Sequence, residues 1–348
     1  MAKKKSANAD LGQKLKNLFS SPNLKFNFSK KNSSKGNSSP SGGIVAKFSN
    51  TIISMLSEYS VQQEEVVGID ITPNSIKLAQ LSKKDNNWTV DKLAYRKLDR
   101  IEDIKNSAAK ISEEIQIAFK SGKFTTTNAA VSLPVSSSIV KVITMPLMTD
   151  TEMQKAIEYD SLWENLTQLP DALEEYSIFH QTIRKDSAQN LMDVLFVASK
   201  LSDVNHYIDI VKNAELSPIV MDVRCFALRN AFETKNMKEL TKVPLAILEM
   251  GMYENYLLIL KDEIPFVSDI FVSQKDKEVL GPEQKNTKSL APIIDRFGMQ
   301  IKQNLDSYVS RFKSEDIKNL FIVSNSPNVQ EIANEFSKKF KDMTIVVL

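Results

Sequence analysis

The stretch Val66 to Leu81 (VVGIDITPNSIKLAQL) constrains the chain more than any other, because an apolar run stops at a carboxylate and a hydroxyl-rich turn. Val and Ile favour extended backbone, Thr72, Pro73, Asn74 and Ser75 are turn formers, and Ile76, Leu78 and Leu81 restart the apolar pattern. This predicts a β-hairpin with Asp70, Thr72, Asn74, Ser75 and Lys77 at or beside its tip. Oxygen ligands and backbone N–H groups in such a turn can meet a phosphate or a hydrated cation. The pattern returns once: Pro244 to Met250 (PLAILEM), Gly251, then Tyr253 to Leu260 again reads strand, acid, turn, strand, with Glu249 in the place of Asp70. Two related half-domains facing each other would set Asp70 and Glu249 across one cleft.

A chain of 348 residues, 42% apolar and 25% charged, has ordinary globular composition and room for two lobes. Its net charge of +2 is unevenly spread, since residues 1–50 hold ten Lys and one Asp, or +9, leaving −7 for the rest. One cysteine, Cys225, excludes an internal disulfide framework and suits a reducing compartment. Two histidines, His180 and His206, without a second cysteine argue against a zinc site or a histidine-centred triad. No apolar run reaches the roughly 18 residues of a spanning helix, and the start lacks a secretory h-region. The expected location is cytoplasmic.

Residues 1–63 are expected to form a basic, largely disordered tail, because NSSKGNSSPSGG (Asn32 to Gly43) has almost nothing to bury. Leu11, Leu15, Leu18 and Phe19, and then Ile44, Val45, Phe48, Ile52, Ile53 and Leu56, recur at helical spacing. Such patches serve a membrane surface, a partner, or the chain's own domain, and these readings stay open. Nucleic acid is disfavoured, because aromatic interleaving is confined to Phe26 and Phe28.

Beyond the first hairpin the pattern is α/β. Trp88 to Leu98 suits a strand pair, Ile101 to Phe119 a helix, and Asn128 to Leu133 and Ile139 to Thr144 two strands joined through Ser136 to Ser138. An acidic helix is expected from Asp150 to Leu166, with Asp150 or Thr151 as N-cap. Strands over Glu174 to Arg184 and Leu191 to Ser199 and a helix over Leu201 to Ala214 complete an inserted small subdomain, residues 150–215. A strand at Pro218 to Val223 and a helix at Cys225 to Phe232 follow. The first lobe is thus expected over residues 64–149 and 216–240, the second over 241–348. In the second, Phe271 to Pro282 reads as irregular, Leu290 to Arg311 as a long helix, Leu320 to Val323 as a strand, Ser324 to Asn328 as a turn, Val329 to Phe340 as a helix, and Ile345 to Leu348 as a closing strand.

This order, with its strand-acid-turn at Asp70 and at Glu249, resembles the actin-like ATPase superfamily. More narrowly it resembles the PilM group of type IV pilus assembly proteins, relatives of the division protein FtsA. The resemblance spans residues 64–348 and rests on GIDITPNSIKLAQL (Gly68 to Leu81), AAVSLPVSSSIVKVITMP (Ala129 to Pro146), TEMQKAIEYDSLWENL (Thr151 to Leu166) and SPIVMDVRCFALRNAF (Ser217 to Phe232). It implies a two-lobed fold of ribonuclease H-like halves with an inserted small subdomain, and ATP with Mg²⁺ between the lobes. On this reading Asp70, Thr72, Asn74, Ser75, Lys77, Glu249, Gly251, Ser324 and Asn325 would meet the nucleotide, and Asp70 and Glu249 the metal, through water. It also implies a groove in the first lobe for the cytoplasmic tail of the inner-membrane protein PilN, with self-association open.

Several positions depart from the family pattern. Thr72 stands where glycine allows close backbone approach, and Pro73 removes an N–H donor. Met252 and Tyr253 follow Gly251 where small residues are usual, Ser324 to Pro327 replace a Ser-Gly-Gly run, and Arg224 and Cys225 replace Glu-Pro. These changes predict a degenerate nucleotide site on a scaffold rather than an enzyme. The alternatives are an active ATP-dependent switch and a division-type relative that polymerises. For Asp70 and Glu249 the simpler reading is that they cap strand ends by accepting from local backbone amides.

Overall fold

The structure, a computed structural model, describes residues 65–84, 87–99, 101, 104–149, 151–153, 169–234, 241–261, 264–281 and 290–348. The expected basic tail, with both of its amphipathic patches, and most of the expected acidic helix at 150–166 lie outside these residues. At the start of that helix, Thr149 rather than Asp150 or Thr151 is the cap. Its Oγ1 accepts from the Glu152 N–H at 3.2 Å while Glu152 Oε2 accepts from the Thr149 N–H at 2.8 Å, a reciprocal capping box.

The first lobe is built on a sheet of β1 (Val67–Thr72), β2 (Ser75–Lys84), β3 (Asn87–Lys97), β4 (Asn128–Leu133) and β8 (Ser217–Val223), in the order β3-β2-β1-β4-β8. The hairpin expected at Val66 to Leu81 is β1 and β2, with Thr72 opposite Ser75. Trp88 to Leu98 is not a strand pair: it belongs to the single strand β3, whose register against β2 shifts between Gln80 and Leu81 so that Leu81 pairs with Val90. Of Asp91 and Lys92, the charged pair that interrupts the alternation, Asp91 is set aside by a bulge while Lys92 pairs with Gln80, so no turn forms.

One face of this sheet packs Val67, Ile69, Ile76 and Leu78 against helices α1 (Ala108–Gly122) and α2 (Leu201–Asn213). Helix α1 starts later than Ile101, after a 3-10 turn at Lys105–Ser107, and ends at Lys123 in a left-handed conformation (φ 52°). Ser112 Oγ of α1 donates to the carbonyl of Ile210 in α2 at 2.8 Å, which joins the two helices over the core.

The second lobe repeats the plan with β9 (Leu245–Met250), β10 (Asn255–Lys261), β11 (Ile264–Asp269), β12 (Asn319–Val323) and β13 (Thr344–Val347), in the order β11-β10-β9-β12-β13. Its helices are α4 (Gln274–Val279), α5 (Leu290–Phe312) and α6 (Val329–Lys339). The stretch expected to be irregular from Phe271 holds α4, whose cap Ser273 accepts from the Asp276 N–H at 3.2 Å. Ile293, Phe297 and Ile301 of α5 meet Leu320, Ile332 and Phe336 in one core.

Between β4 and β8 the chain makes a three-stranded antiparallel sheet of β5 (Ser138–Pro146), β7 (Leu191–Lys200) and β6 (Tyr176–Asp186), in the order β5-β7-β6. The small unit therefore includes β5, which was expected in the first lobe. The short Ser136 to Ser138 turn suggested a β4-β5 hairpin, but both neighbours of β4 are already β1 and β8, so β5 must pair elsewhere. Conversely α2, expected in the insertion, packs with the first-lobe core through Val204, Tyr207 and Val211. Helix α3 (Arg224–Thr234) then crosses from β8 to the second lobe, where Phe226 and Phe232 pack with Leu245, Ile247, Tyr256 and Leu258. Equal strand order in the two sheets, with α3 as the link, makes this a two-lobed actin-like fold.

Candidate functional site between the lobes

Alternation along β1 puts Asp70 on the sheet face opposite α1 and α2, with Lys77 of β2 and Ser132 of β4 beside it in register. Lys77 Nζ lies 3.2 Å from Asp70 Oδ2 and Ser132 Oγ donates to Oδ1 at 3.3 Å. Glu249 holds the equivalent place on β9, opposite Tyr256 of β10, whose buried hydroxyl donates to Oε2 at 2.6 Å. Both acids are strand residues bonded by side chains of neighbouring strands, so the expectation that they cap strand ends through local amides is replaced by this pattern.

The two acids meet at Arg224, the first residue of α3. Its Nη1 donates to Asp70 Oδ1, and its Nε and Nη2 both reach Glu249 Oε1 at 2.8 Å. One guanidinium thus bridges the carboxylates of both lobes. Burial works against its charge, but Glu249 and Asp70 outweigh that and hold its pKa above the ordinary arginine value. Burial, with Glu249 beside it, pushes the Tyr256 hydroxyl well up, so it stays a donor.

Around this bridge lies a cavity of about 210 Å³, lined by Asp70, Thr72, Ser132, Arg224, Tyr253 and Glu254 among others. Glu254 Oε2 accepts from the Val135 N–H at 3.2 Å, linking the second lobe to the turn after β4. Burial raises the Glu254 carboxyl to about 7; Arg224 opposes this and Glu249 adds to it.

The other expected residues spend their polar atoms locally. Thr72 Oγ1 is 2.8 Å from Ser75 Oγ, donates to the Ser75 carbonyl at 3.0 Å and lies 3.0 Å from Asn74 Oδ1. The carbonyls of Pro73 and Asn74 accept from the N–H groups of Ile101 and Leu98, each at 2.8 Å. In the second turn Asn255 closes on Gly251, accepting from its N–H at 3.1 Å and donating to its carbonyl at 2.9 Å. A Cβ on Gly251 would lie 3.4 Å from Asn325 Oδ1, so these two residues do come together. Ser324 Oγ accepts from the Ser326 N–H at 3.1 Å and thereby closes its own turn.

ATP and Mg²⁺, which an actin-like fold implies, do not fit these residues. A cation between Asp70 and Glu249 would have to displace a guanidinium bonded to both. The hydroxyls of the first turn are tied to one another, Pro73 has no N–H to offer, and the cavity is smaller than the roughly 300 to 1,000 Å³ usual for ligand pockets. Among the described residues no group of three or more His, Cys, Asp and Glu side chains could hold a metal ion. The sequence marks Arg224 as a departure but not as the partner of both acids. The available signal was its position: the one arginine immediately after the interlobe strand, where two carboxylates converge.

A family model described as type IV pilus assembly protein PilM matches residues 68–267. The chain belongs to the PilM family. Among solved structures, a PilM-PilN type IV pilus biogenesis complex superposes with a TM-score of 0.64 at 17% identity, covering 82% of this chain and 88% of that one. The cytoplasmic domain of EpsL, an inner membrane component of the Vibrio cholerae type II secretion system, gives 0.39 at 9% identity over 76% and 84% of the two chains. A Bacteroides thetaiotaomicron protein with an actin-like ATPase fold gives 0.43 at 6% identity over 84% and 93%. No curated protein matches the sequence significantly. In this PilM-family chain the fold is kept while the place between the lobes is taken by an arginine.

Two measurements check the electrostatics. Arg224→Leu leaves two partly buried acids facing each other and is expected to lower unfolding free energy by about 3 kcal/mol in urea titration, with most of it recovered when Asp70→Asn and Glu249→Gln are added. Glu254 has a folded pKa near 7, above its unfolded value, so the stability from its neutral form is complete in acid and is lost as pH rises through 7. Glu254→Gln keeps an acceptor for Val135 and should gain on the wild type by about 2 kcal/mol between pH 5 and pH 8, measured as melting temperature against pH.

Proposed function

We propose that this chain is a cytoplasmic scaffold in the inner-membrane platform that assembles a type IV pilus, and that it binds the cytoplasmic tail of a PilN-like membrane protein instead of turning over ATP. The observation that carries this reading is the Arg224 bridge. A site whose two acids are neutralised by a side chain of the same protein has no need of a metal and little room for a phosphate. No helix of the described residues is long and apolar enough to cross a membrane, which is compatible with a part recruited by a membrane partner.

The peptide is assigned to the seam between the first-lobe sheet and the small sheet. There, among the described residues, β6 is the edge strand of its sheet and pairs with β7, so its outer side can accept an added strand. Beside it lies a cavity of about 60 Å³ lined by Leu133, Ile178, Val197, Met221 and Val223, with Asp222 as its one carboxylate. Such a cavity suits an apolar side chain of an extended peptide whose backbone pairs with β6. The opposite edge, β5, faces the β11 edge across a wider groove, and there Arg311 already donates to the Val142 carbonyl.

Capture of a PilN-like N-terminal peptide, against a scrambled peptide of equal composition, tests the assignment. Wild type should retain the native peptide only, Phe179→Arg, on the face of β6 that lines this cavity beside Val197, should lose it, and Val140→Arg on β5 should keep it. Equal retention of both peptides by the wild type would remove the proposed function.

A further inference from the structure

The two lobes differ in how their sheets are covered. In the second lobe the face away from α5 and α6 is roofed by α3: Ile247, Leu258 and Phe321 are buried with Phe232, whose ring meets that of Phe321 edge-on at 5.0 Å. Aligning Asp70 with Glu249 through the strand registers makes Gly68, Ala79 and Ala130 the first-lobe counterparts of those three. None of the three is fully buried. Beyond them, on the same face, Leu81 (46% exposed), Val90 (63%), Leu93 (68%) and Tyr95 (60%) stand open. They are neighbours rather than scattered residues, because Leu81 pairs with Val90, Ala79 with Leu93 and Lys77 with Tyr95. The β3 bulge is what aligns them: by setting Asp91 aside it turns Val90 to the side of Leu93 and Tyr95. A contiguous apolar sheet face beside small residues is shaped for a helix to lie on closely.

We propose that this face is covered by the chain's own segment Ile44 to Leu56, in the role that α3 plays for the second lobe. That segment carries Ile44, Val45, Phe48, Ile52, Ile53 and Leu56 at helical spacing over 13 residues, against 11 in α3. The point where the chain reaches the fold favours it. Glu65 accepts from Gln80 Nε2 at 3.1 Å and Thr125 Oγ1 at 2.9 Å, and Val67 pairs with Gln80, so the chain arrives one residue from Leu81. Eight residues lie between Leu56 and Glu65, nine Cα–Cα steps with a reach of up to roughly 30 Å, enough to double back along the ribbon.

Leu93→Cys in the full chain reads the cover directly, because Leu93 is exposed in the described fold and the native Cys225 is buried. The thiol at 93 should react with a maleimide roughly tenfold or more slowly than the same thiol in a chain that also carries Phe48→Asp and Ile52→Asp, independent of protein concentration. Met299→Cys, an exposed site on the other lobe, should react equally in both backgrounds. Equal rates at 93 would overturn the proposal. So would protection that grows with protein concentration, which means a second copy covers the face, or protection that appears only with anionic vesicles, which means the face or the segment seeks lipid.

Discussion

The bridge from Arg224 to Asp70 and Glu249 is the contact on which the arrangement of the lobes depends. It lies at the N-terminus of α3, the element that leaves the first sheet and packs on the second, so it joins at one point the two strands that the duplicated fold brings face to face. A charge trio of this kind is weak evidence for stability, because desolvation offsets much of the attraction. Its stronger consequence is exclusion. Two acids held by a fixed guanidinium are not available to a divalent ion, and the surrounding hydroxyls and amides are already satisfied within their own turns. Three of the departures, Thr72, Ser324 and Arg224, thus have a counterpart in the hydrogen bonding.

The duplication also explains where the chain has surface to offer. Each sheet has a helix-covered face and a second face. In the second lobe that second face is consumed by α3 and the small sheet; in the first it is split between the Arg224 site and an open apolar ribbon. The inserted sheet adds two edges, one beside an apolar cavity and one facing β11. On the proposed reading, these edges and faces, arranged around the Arg224 site, are the surfaces that would hold partners.

Much of this was legible in the sequence, for identifiable reasons. The two strand-acid-turn-strand stretches read correctly because both are short-range patterns, and their similarity foretold that Asp70 and Glu249 would face each other. Helices α2, α3, α5 and α6 read nearly to their ends, since their apolar spacing is regular. The limits of the inserted unit did not, because whether β5 pairs with β4 or with β7 is decided by β8, some 80 residues away, which takes the open side of β4. Nor did the bulge in β3, where two charged residues look like a turn. At the site, residue types were visible but their partners were not: Thr72 and Ser75 satisfy each other, and Arg224 serves both acids only once the lobes have closed.

Calorimetric titration of the full chain with ATP in the presence of Mg²⁺ addresses the central claim most directly. With Arg224 occupying the place between the acids, the account predicts no heat of binding in the micromolar range and no difference when Mg²⁺ is replaced by a chelator. A micromolar affinity that requires Mg²⁺ and disappears in Asp70→Ala would contradict it.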